Sequence, residues 1–592
     1  MEREQTEKKY TWDTSDVFPD DEAWEKEYEE VKQLTDFSSF RGKLGDKQTL
    51  LAFFRKEEVF SRRVEKLYLY ASMRHDEDVR VAKYIAYEGK MQSLYTEYAS
   101  SVSFFEPEIL SLPEELLRAW AADPDFSDHD YTLSRLLAQK PHVLSEKEEK
   151  IMALAGEPLG GFREVFSMLD NADLPLPVRK LDGKKTQITH ATYGLVMRSG
   201  SRQARKTCFK AYYGAYRSLI NVITSAYAGN VKKDIFYKNA RGYESCLSMA
   251  LAGEDVSPAV YENLISSVHA ALPVLHRYIS LRGKILGVQR QHMYDIYVPL
   301  VEEADISLSY DEAYEEVVKG LAPLGEDYGK LLRRAHDERW IDVYENTGKR
   351  SGAYSTGVYD THPYVLLNYQ PTTGELFTIA HEMGHSIHTY KSNAAQPYAK
   401  SSYTIFLAEI ASTVNEVLLL KHLYRNTQDK KLKKFLLNYY MDMFRTTLFR
   451  QTQFAEFEEI AHRKAESGEP LTRENLSDAY YALNKAYYGD GIAHDEEIAL
   501  EWARIPHFYR SFYVYKYATG IVSAVSLARA VLSEGKPAVE RYFRFLESGN
   551  KTCPVDILKE AGVDLTTRAP FDAAMREFEE TLQAFERLQS EE

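Results

Sequence analysis

The stretch His381-Glu382-Met383-Gly384-His385 sets two imidazoles four residues apart with a carboxylate between them. On a helix, residues at that spacing project from one face about one turn apart. Two imidazoles so placed can share one tetrahedral Zn²⁺. Glu382 can then take a proton from water activated by the metal and serve as general base. The chemistry this pattern supports is metal-assisted hydrolysis, with the peptide bond as first candidate substrate. Chance alone puts such a motif in roughly a few per cent of chains of this length, so its surroundings decide its weight.

Those surroundings predict the helix that the motif needs. From about Gly374 to Tyr390, Leu376, Ile379, Ala380, Met383 and Ile387 recur at helical spacing, while Thr378, His381, His385 and His388 fall on a different face. A catalytic zinc takes three protein ligands and keeps one position open. The third-histidine pattern His-Glu-x-x-His-x-x-Gly-x-x-His is excluded, because its glycine position is His388 and its last histidine position is Lys391. The alternative is a carboxylate from a following helix, and Ala408-Glu-Ile-Ala-Ser-Thr-Val-Asn-Glu416 suits it. There Glu409, Ser412, Thr413 and Glu416 share one face, and Phe406, Ile410, Val414 and Val417 form an apolar one. Glu409 follows His385 by 24 residues, enough for a loop through Pro397 and a return helix, and is the expected third ligand. Glu416 is either an acceptor for a ligand histidine's free N–H or a solvated surface acid. His388 reads as a packed or hydrogen-bonded neighbour, not a ligand.

A second constellation is Ile505-Pro-His-Phe-Tyr-Arg-Ser-Phe-Tyr-Val-Tyr-Lys-Tyr-Ala-Thr-Gly520. Pro506 can open a helix in its first turn, which puts Tyr513 and Tyr517 four apart on one face. Amide hydrolysis develops negative charge on the carbonyl oxygen, and tyrosine hydroxyls and a histidine are suitable donors to it. Core packing is the competing account of any single aromatic here, and composition alone favours it. Just before it, Tyr487-Tyr-Gly-Asp-Gly491 reads as a flexible loop able to gate or contact substrate.

Composition narrows the class. A chain of 592 residues has room for several domains and a large core. Hydrophobic content of 44% and charged content of 28% are those of an ordinary soluble globular protein. No window approaches the roughly 18–20 apolar residues of a membrane span. Met1 to Lys9 is charged and leads into no apolar run, which argues against a signal peptide. Cys208, Cys246 and Cys553 lack CxxC spacing, which disfavours a cysteine zinc site or disulfide framework and fits a reducing cytoplasm. Net charge of −15 disfavours nucleic-acid binding by the whole chain. The 43 tyrosines suit a peptide groove, where ring packs and hydroxyl bonds, although half-buried amphipathic helices account for most of them.

Helical periodicity over Leu67–Tyr98, Tyr261–Ile285, Tyr310–Arg334, Lys430–Ser467 and Ala573–Leu588, with no βαβ alternation or repeat, predicts a mainly α fold. Pro175 and Pro177 interrupt it, and Val178 to Ile188 predicts a hairpin around Asp182-Gly183. We draw the boundary there: an N-terminal helical region over 1–190 and a catalytic region over 191–592. A second non-helical patch runs from Gly348 to Tyr369, with loops at Gly352, Gly357 and Pro363 and a strand over Tyr364–Tyr369.

The stretch Phe377-Thr-Ile-Ala-His-Glu-Met-Gly-His-Ser-Ile-His388, with Ala408 to Glu416, resembles the oligoendopeptidase F group of the thimet oligopeptidase-like (M3) zinc peptidases. Trp12-Asp-Thr-Ser-Asp-Val-Phe18, Lys349-Arg-Ser-Gly-Ala-Tyr354, Pro363-Tyr-Val-Leu-Leu-Asn368 and Ile505–Gly520 resemble the same group, so the likeness spans nearly the whole chain. It implies a mainly α, two-lobed helical zincin with a small β-sheet near the active site and a deep channel that admits short unfolded peptides. It implies one Zn²⁺ per chain on His381, His385 and Glu409, with Glu382 as base. It further implies that His507 and one or two of Tyr513, Tyr515 and Tyr517, with Tyr517 first, stabilise the transition state. Gly352, Ala353, Tyr354 and Tyr515 are the implied substrate contacts, and the Gly352–Asn368 patch would supply an edge strand for β-addition. The expected function is a cytoplasmic zinc oligoendopeptidase. The alternatives are a metallo-carboxypeptidase or dipeptidyl carboxypeptidase, and an inactive helical peptide-binding protein.

Overall fold

The computed structural model describes residues 2–301 and 307–591. Helices carry nearly all of it, and many start on a side-chain cap: Asp20, Asp46, Ser201, Ser309 and Thr472 each accept a backbone N–H of the first turn. Among the described residues no helix is long and apolar enough to cross a membrane.

The chain forms two compact units, each assembled from three stretches. The first comprises Met1–Val143, Asp305–Arg425 and Leu527–Val563; the second comprises Leu144–Ala304, Asn426–Ser526 and Asp564–Glu592.

In the first unit, helices Asp21–Lys32, Lys47–Glu77 and Ala82–Val102 enclose an aromatic core. Trp24 stacks on Tyr87 at 3.8 Å and donates from its indole N–H to the Leu67 carbonyl. The predicted helix over Leu67–Tyr98 is broken at Asp78–Val81. There the Asp78 carboxylate accepts the Arg80 N–H, and Val79 donates to Gly348, a residue far away in sequence. The predicted helix over Tyr310–Arg334 also divides, into Tyr310–Gly320 and Glu326–Asp337, because Pro323 and Gly325 (φ +91°) end the first and redirect the chain.

This unit holds a three-stranded sheet of β3 (Ile341–Asp342), β4 (Tyr354–Thr356) and β5 (Tyr364–Leu366), in the order β3-β5-β4. β3 runs parallel to β5, and β4 is antiparallel to it with Ser355 opposite Val365. β4 is therefore an edge, as the family resemblance implies for the Gly352–Asn368 patch, and the strand read at Tyr364–Tyr369 is the central β5. A buried charge network sets its approach. Asp342 accepts Lys349 Nζ at 2.6 Å and Arg3 at 2.7 Å; Arg3 also bonds Glu77 at 2.9 Å. Tyr354 donates to Asp76 at 2.6 Å. The loop into β4 is thereby tied to the end of helix Lys47–Glu77 and to the N-terminus.

The second unit is built on helices Arg202–Ala240, Pro258–Ile285, Arg473–Tyr488 and Ala569–Ser590. The predicted Lys430–Ser467 helix is continuous apart from a wider turn at Phe444–Phe449. Tyr213, Tyr216, Tyr227, Tyr261 and Tyr278 are wholly buried here, so much of the tyrosine content is core. The hairpin is present as β1 (Val178–Leu181) and β2 (Lys184–Gln187), turning at Asp182-Gly183. The expected flexible loop at 487–491 is a packed turn instead. Tyr487 and Tyr488 are buried at the end of a helix, and a Cβ on Gly489 would meet the His276 ring at 2.7 Å.

Lys349 and Asp342 have side chains 0% and 2% exposed, so losing the carboxylate strands a buried cation. Asp342→Ala is expected to cost about 3–5 kcal/mol. Glu326→Ala, which removes one of two carboxylate partners of exposed Lys330, is expected to cost less than about 1 kcal/mol. Denaturant titration followed by tryptophan emission measures both, since Trp12, Trp24, Trp120 and Trp340 lie in this unit. Equal costs for the two variants would contradict the role given to the buried pair.

Candidate metal centre

The motif helix spans Thr373–Ala395 and the return helix Ile405–Asn426. Leu376, Ile379, Ala380, Met383 and Ile387 are all buried, as are Phe406, Ile410, Val414 and Val417, so both apolar faces lie where periodicity predicts. The helices meet at backbone distance. A Cβ on Gly384 would lie 2.5 Å from Ser412 Cα and 2.7 Å from the Ala411 oxygen, so only glycine permits the crossing. A pin fixes their register: Asn415 donates to the Ala380 carbonyl at 3.0 Å and accepts from Tyr328 at 2.9 Å.

This crossing brings Glu409 to the histidines. His381 Nε2 and His385 Nε2 are 3.2 Å apart, and Glu409 Oε2 lies 3.5 Å from the first and 3.6 Å from the second. Metal–ligand bonds of about 2.0–2.1 Å in tetrahedral array put ligand atoms about 3.3 Å apart, so the three atoms fit one zinc-sized ion. Their side chains are 28%, 18% and 44% exposed, so the group is not sealed as a structural zinc site is.

His381 is oriented from behind. His381 Nδ1 donates to Glu416 at 2.7 Å, which leaves Nε2 facing His385 and Glu409. The Ala408 backbone lies beside His385 and favours its charged form. Of the two readings of Glu416, the structure shows the hydrogen-bond acceptor. The electrostatics follow from three carboxylates around two imidazoles. Burial works against charge on His381, but hydrogen bonds to Glu409 and Glu416 outweigh it and lift its pKa to about 10. Burial, with His381 nearby, takes His385 down to about 4. Burial pushes Glu382 up to about 7, with Glu409 and Glu416 adding to it and His381 and the Ser355 N–H opposing. That N–H belongs to β4, whose Ser355 Oγ also meets Ser386 Oγ at 2.8 Å, so the edge strand is stitched to the motif helix. His388 is 1% exposed, stacks on Tyr403 at 3.8 Å and is pushed down to about 3 by burial, which makes it a packed neighbour.

In the second unit His507, Tyr513 and Tyr517 come together. Tyr517 OH is 3.4 Å from His507 Nε2, and the ring pairs lie 5.4–6.1 Å apart. Burial lowers the His507 pKa, and Arg450 and Arg510 lower it further. Tyr513 and Tyr517 do not share a helix, because the helix starts at Tyr515; Pro506 opens only a short 3₁₀ turn over Pro506–Tyr509. Tyr515 stands apart from this group: it is 1% exposed and packs edge-on against Tyr261, because its side chain turns into the core at the first residue of the helix. Gly352 and Ala353 are exposed ahead of β4, and Tyr354 is half-buried with its hydroxyl on Asp76. Two contacts have little or no signal in the sequence, the Asn415 pin and the Ser355–Ser386 hydrogen bond. The adjacency of Asn415 to Glu416 was the available signal for the first, and nothing local marks the second.

Compared with known proteins, residues 195–577 match the model of Peptidase family M3, and residues 108–175 match that of Oligopeptidase F. Oligopeptidase PepF of Bacillus subtilis is 45% identical, covering 98% of this chain and 87% of its own. A solved structure from Chlamydophila abortus is 34% identical with a TM-score of 0.94 over 99% of both chains. Oligoendopeptidase-F from Enterococcus faecium is 34% identical with a TM-score of 0.75, over 97% of this chain and 100% of its own.

Gly384→Ala forces the two helices apart and is expected to weaken metal retention by about tenfold or more, as loss of a ligand's support does. Gly329→Ala, at a helical glycine with open space around it, leaves retention unchanged. Metal content after dialysis reads both, and full occupancy in Gly384→Ala contradicts the dependence on the crossing.

Proposed function

The chain belongs to peptidase family M3, and on that footing we propose how its residues divide the hydrolysis of an internal peptide bond. It is an oligoendopeptidase with a metal cofactor. The observation that carries the finer reading is the His381, His385 and Glu409 group, whose ligand atoms lie within 4.8 Å of one another.

In this reading the metal is one Zn²⁺ per chain, for which two imidazoles and a carboxylate are a suitable donor set. Bound there, zinc polarises the scissile carbonyl and acidifies water. The chain's own residues do the rest. Glu416 aims the His381 imidazole, the Ala408 backbone lies beside His385, and Glu409 completes the set. Glu382 takes a proton from water and hands it to the leaving amine, a double duty that suits a carboxylate whose charge is disfavoured by burial. His507 and Tyr517 donate to the developing oxyanion, with Tyr513 packed against both.

Substrate is read as a short unfolded peptide that adds to the open edge of β4. Val365, opposite Ser355, gives its N–H to Trp340 on the β3 side, so Tyr354 and Thr356 face β5 and Ala353 faces outward with Ser355. The Gly352 carbonyl already accepts from Asn368 at 2.8 Å. Ala353 is therefore the first backbone contact for substrate in this reading. The catalytic region is placed at 191–592 and the N-terminal helical region at 1–190; the family match starting at residue 195 supports that division. A cytoplasmic location is supported by the two buried cysteines outside any disulfide, Cys208 and Cys246.

A quenched fluorescent peptide blocked at both ends tests the reaction. The enzyme is expected to cut it, to stop on chelation and to recover with zinc. Cutting confined to peptides with a free C-terminus would make it a carboxypeptidase, and chelator-resistant cutting contradicts the metal. Glu382→Gln is expected to keep its zinc and lose about 10²–10⁴ in turnover. Near-normal turnover in that variant would remove Glu382 from the base role.

A further inference from the structure

Between His507 and Tyr517 the chain makes a turn that local preference does not explain. Phe512 has φ +57°, a left-handed conformation that a bulky aromatic residue keeps only where its surroundings enforce it. The enforcing groups come from two helices of the same unit. Glu458, on helix Arg450–Glu466, is wholly buried, and its Oε1 accepts the Phe512 N–H at 3.0 Å. Asp234, on helix Arg202–Ala240, accepts the Ser511 hydroxyl at 2.6 Å and His462 Nε2 at 3.2 Å. His462 closes the network by donating from Nδ1 to the Glu458 carbonyl at 2.8 Å, with its ring 4.6 Å from that of Phe512. Asn230 donates to the Phe508 carbonyl and to Ser511 Oγ.

Stability alone is a poor reason for this arrangement. Glu458 Oε2 is buried without a hydrogen-bond partner, and an unmatched buried polar atom is costly. Burial pushes the Glu458 carboxyl pKa well above the usual range; the Phe512 N–H opposes the shift and Asp234 adds to it. What it supplies is one acceptor, deep in the unit, at the N–H of the residue in the left-handed turn.

We propose that Glu458, together with Asp234 and His462, is a positioning device for the oxyanion donors: it holds the Ser511–Phe512 turn so that His507 and Tyr517 converge. The proposal rests on the reading that His507 and Tyr517 stabilise the transition state. Glu458 itself touches no reacting atom and acts only through the turn.

Glu458→Leu removes the acceptor at similar volume, and Glu458→Gln keeps a carbonyl oxygen there. In the zinc-loaded full chain, Glu458→Leu is expected to lower kcat by about tenfold or more with KM and zinc content within about twofold, and Glu458→Gln to restore kcat to within about threefold. In a Tyr517→Phe background the Glu458→Leu loss is expected to shrink, because both changes disable the same donor. Parental kcat in Glu458→Leu, equal impairment in Glu458→Gln, or losses that simply multiply would each overturn the proposal. If Glu458→Leu does not fold, Ser511→Ala takes its place, with an expected kcat loss of about three- to tenfold that is likewise absorbed by Tyr517→Phe. No loss, or a multiplying one, overturns it there too. Tyr517→Phe and His507→Ala measured singly separate the two failures. Parental turnover in both removes the oxyanion reading and this proposal with it; impairment in both beside a fully active Glu458→Leu removes this proposal alone.

Discussion

The metal centre depends on one close approach, the backbone crossing of the motif helix and the return helix at Gly384 and Ser412. Glu409 and Glu416 are seven residues apart, two turns of the return helix, and so point from the same face. At this crossing distance both reach His381, one at Nε2 and the other at Nδ1. A methyl group at residue 384 is enough to prevent it. The crossing also concentrates charge. Glu382, Glu409 and Glu416 surround two imidazoles in a half-buried place and together demand positive charge: burial leads the upward shift of Glu382 and its neighbouring carboxylates add to it, and the carboxylates lift His381 against burial. A divalent cation meets that demand, and entering it requires the imidazoles to be neutral.

The same economy governs how the edge strand is placed. β4 has only three residues and makes one ladder, so pairing alone holds it weakly. Its position is over-determined by other means: the Lys349–Asp342–Arg3 charges ahead of it, Tyr354 on Asp76 within it, and Ser355 on Ser386. The last of these links the strand proposed to take substrate backbone to the helix that carries the proposed base. Breaking a buried charge in the first group therefore disturbs more than stability.

What could be read from the chain was whatever local spacing encodes. The apolar faces of both centre helices, the placing of Glu409 beside His381 and His385, the packed role of His388 and the Asp182-Gly183 hairpin follow from periodicity, ligand number and turn chemistry, and the structure has each of them. The family resemblance added the gathering of His507, Tyr513 and Tyr517, which periodicity alone assigned to a helix that does not exist at Tyr513. Most of the departures involve partners distant in sequence. Helix 67–98 breaks because Gly348 claims the Val79 N–H; Tyr515 turns inward because Tyr261 waits there; Phe512 is left-handed because Glu458 takes its N–H. The break at 320–325 was legible in Gly320, Pro323 and Gly325, and the strength of the flanking periodicity hid it.

In the proposed site three side chains from two crossing helices hold a zinc ion. Diffraction from crystals of the zinc-loaded protein, recorded on both sides of the zinc absorption edge, locates that ion. A single anomalous peak is expected about 2.0–2.2 Å from His381 Nε2, His385 Nε2 and one oxygen of Glu409. No peak there, or a peak bonded to His388 or Glu416 in place of Glu409, would contradict it.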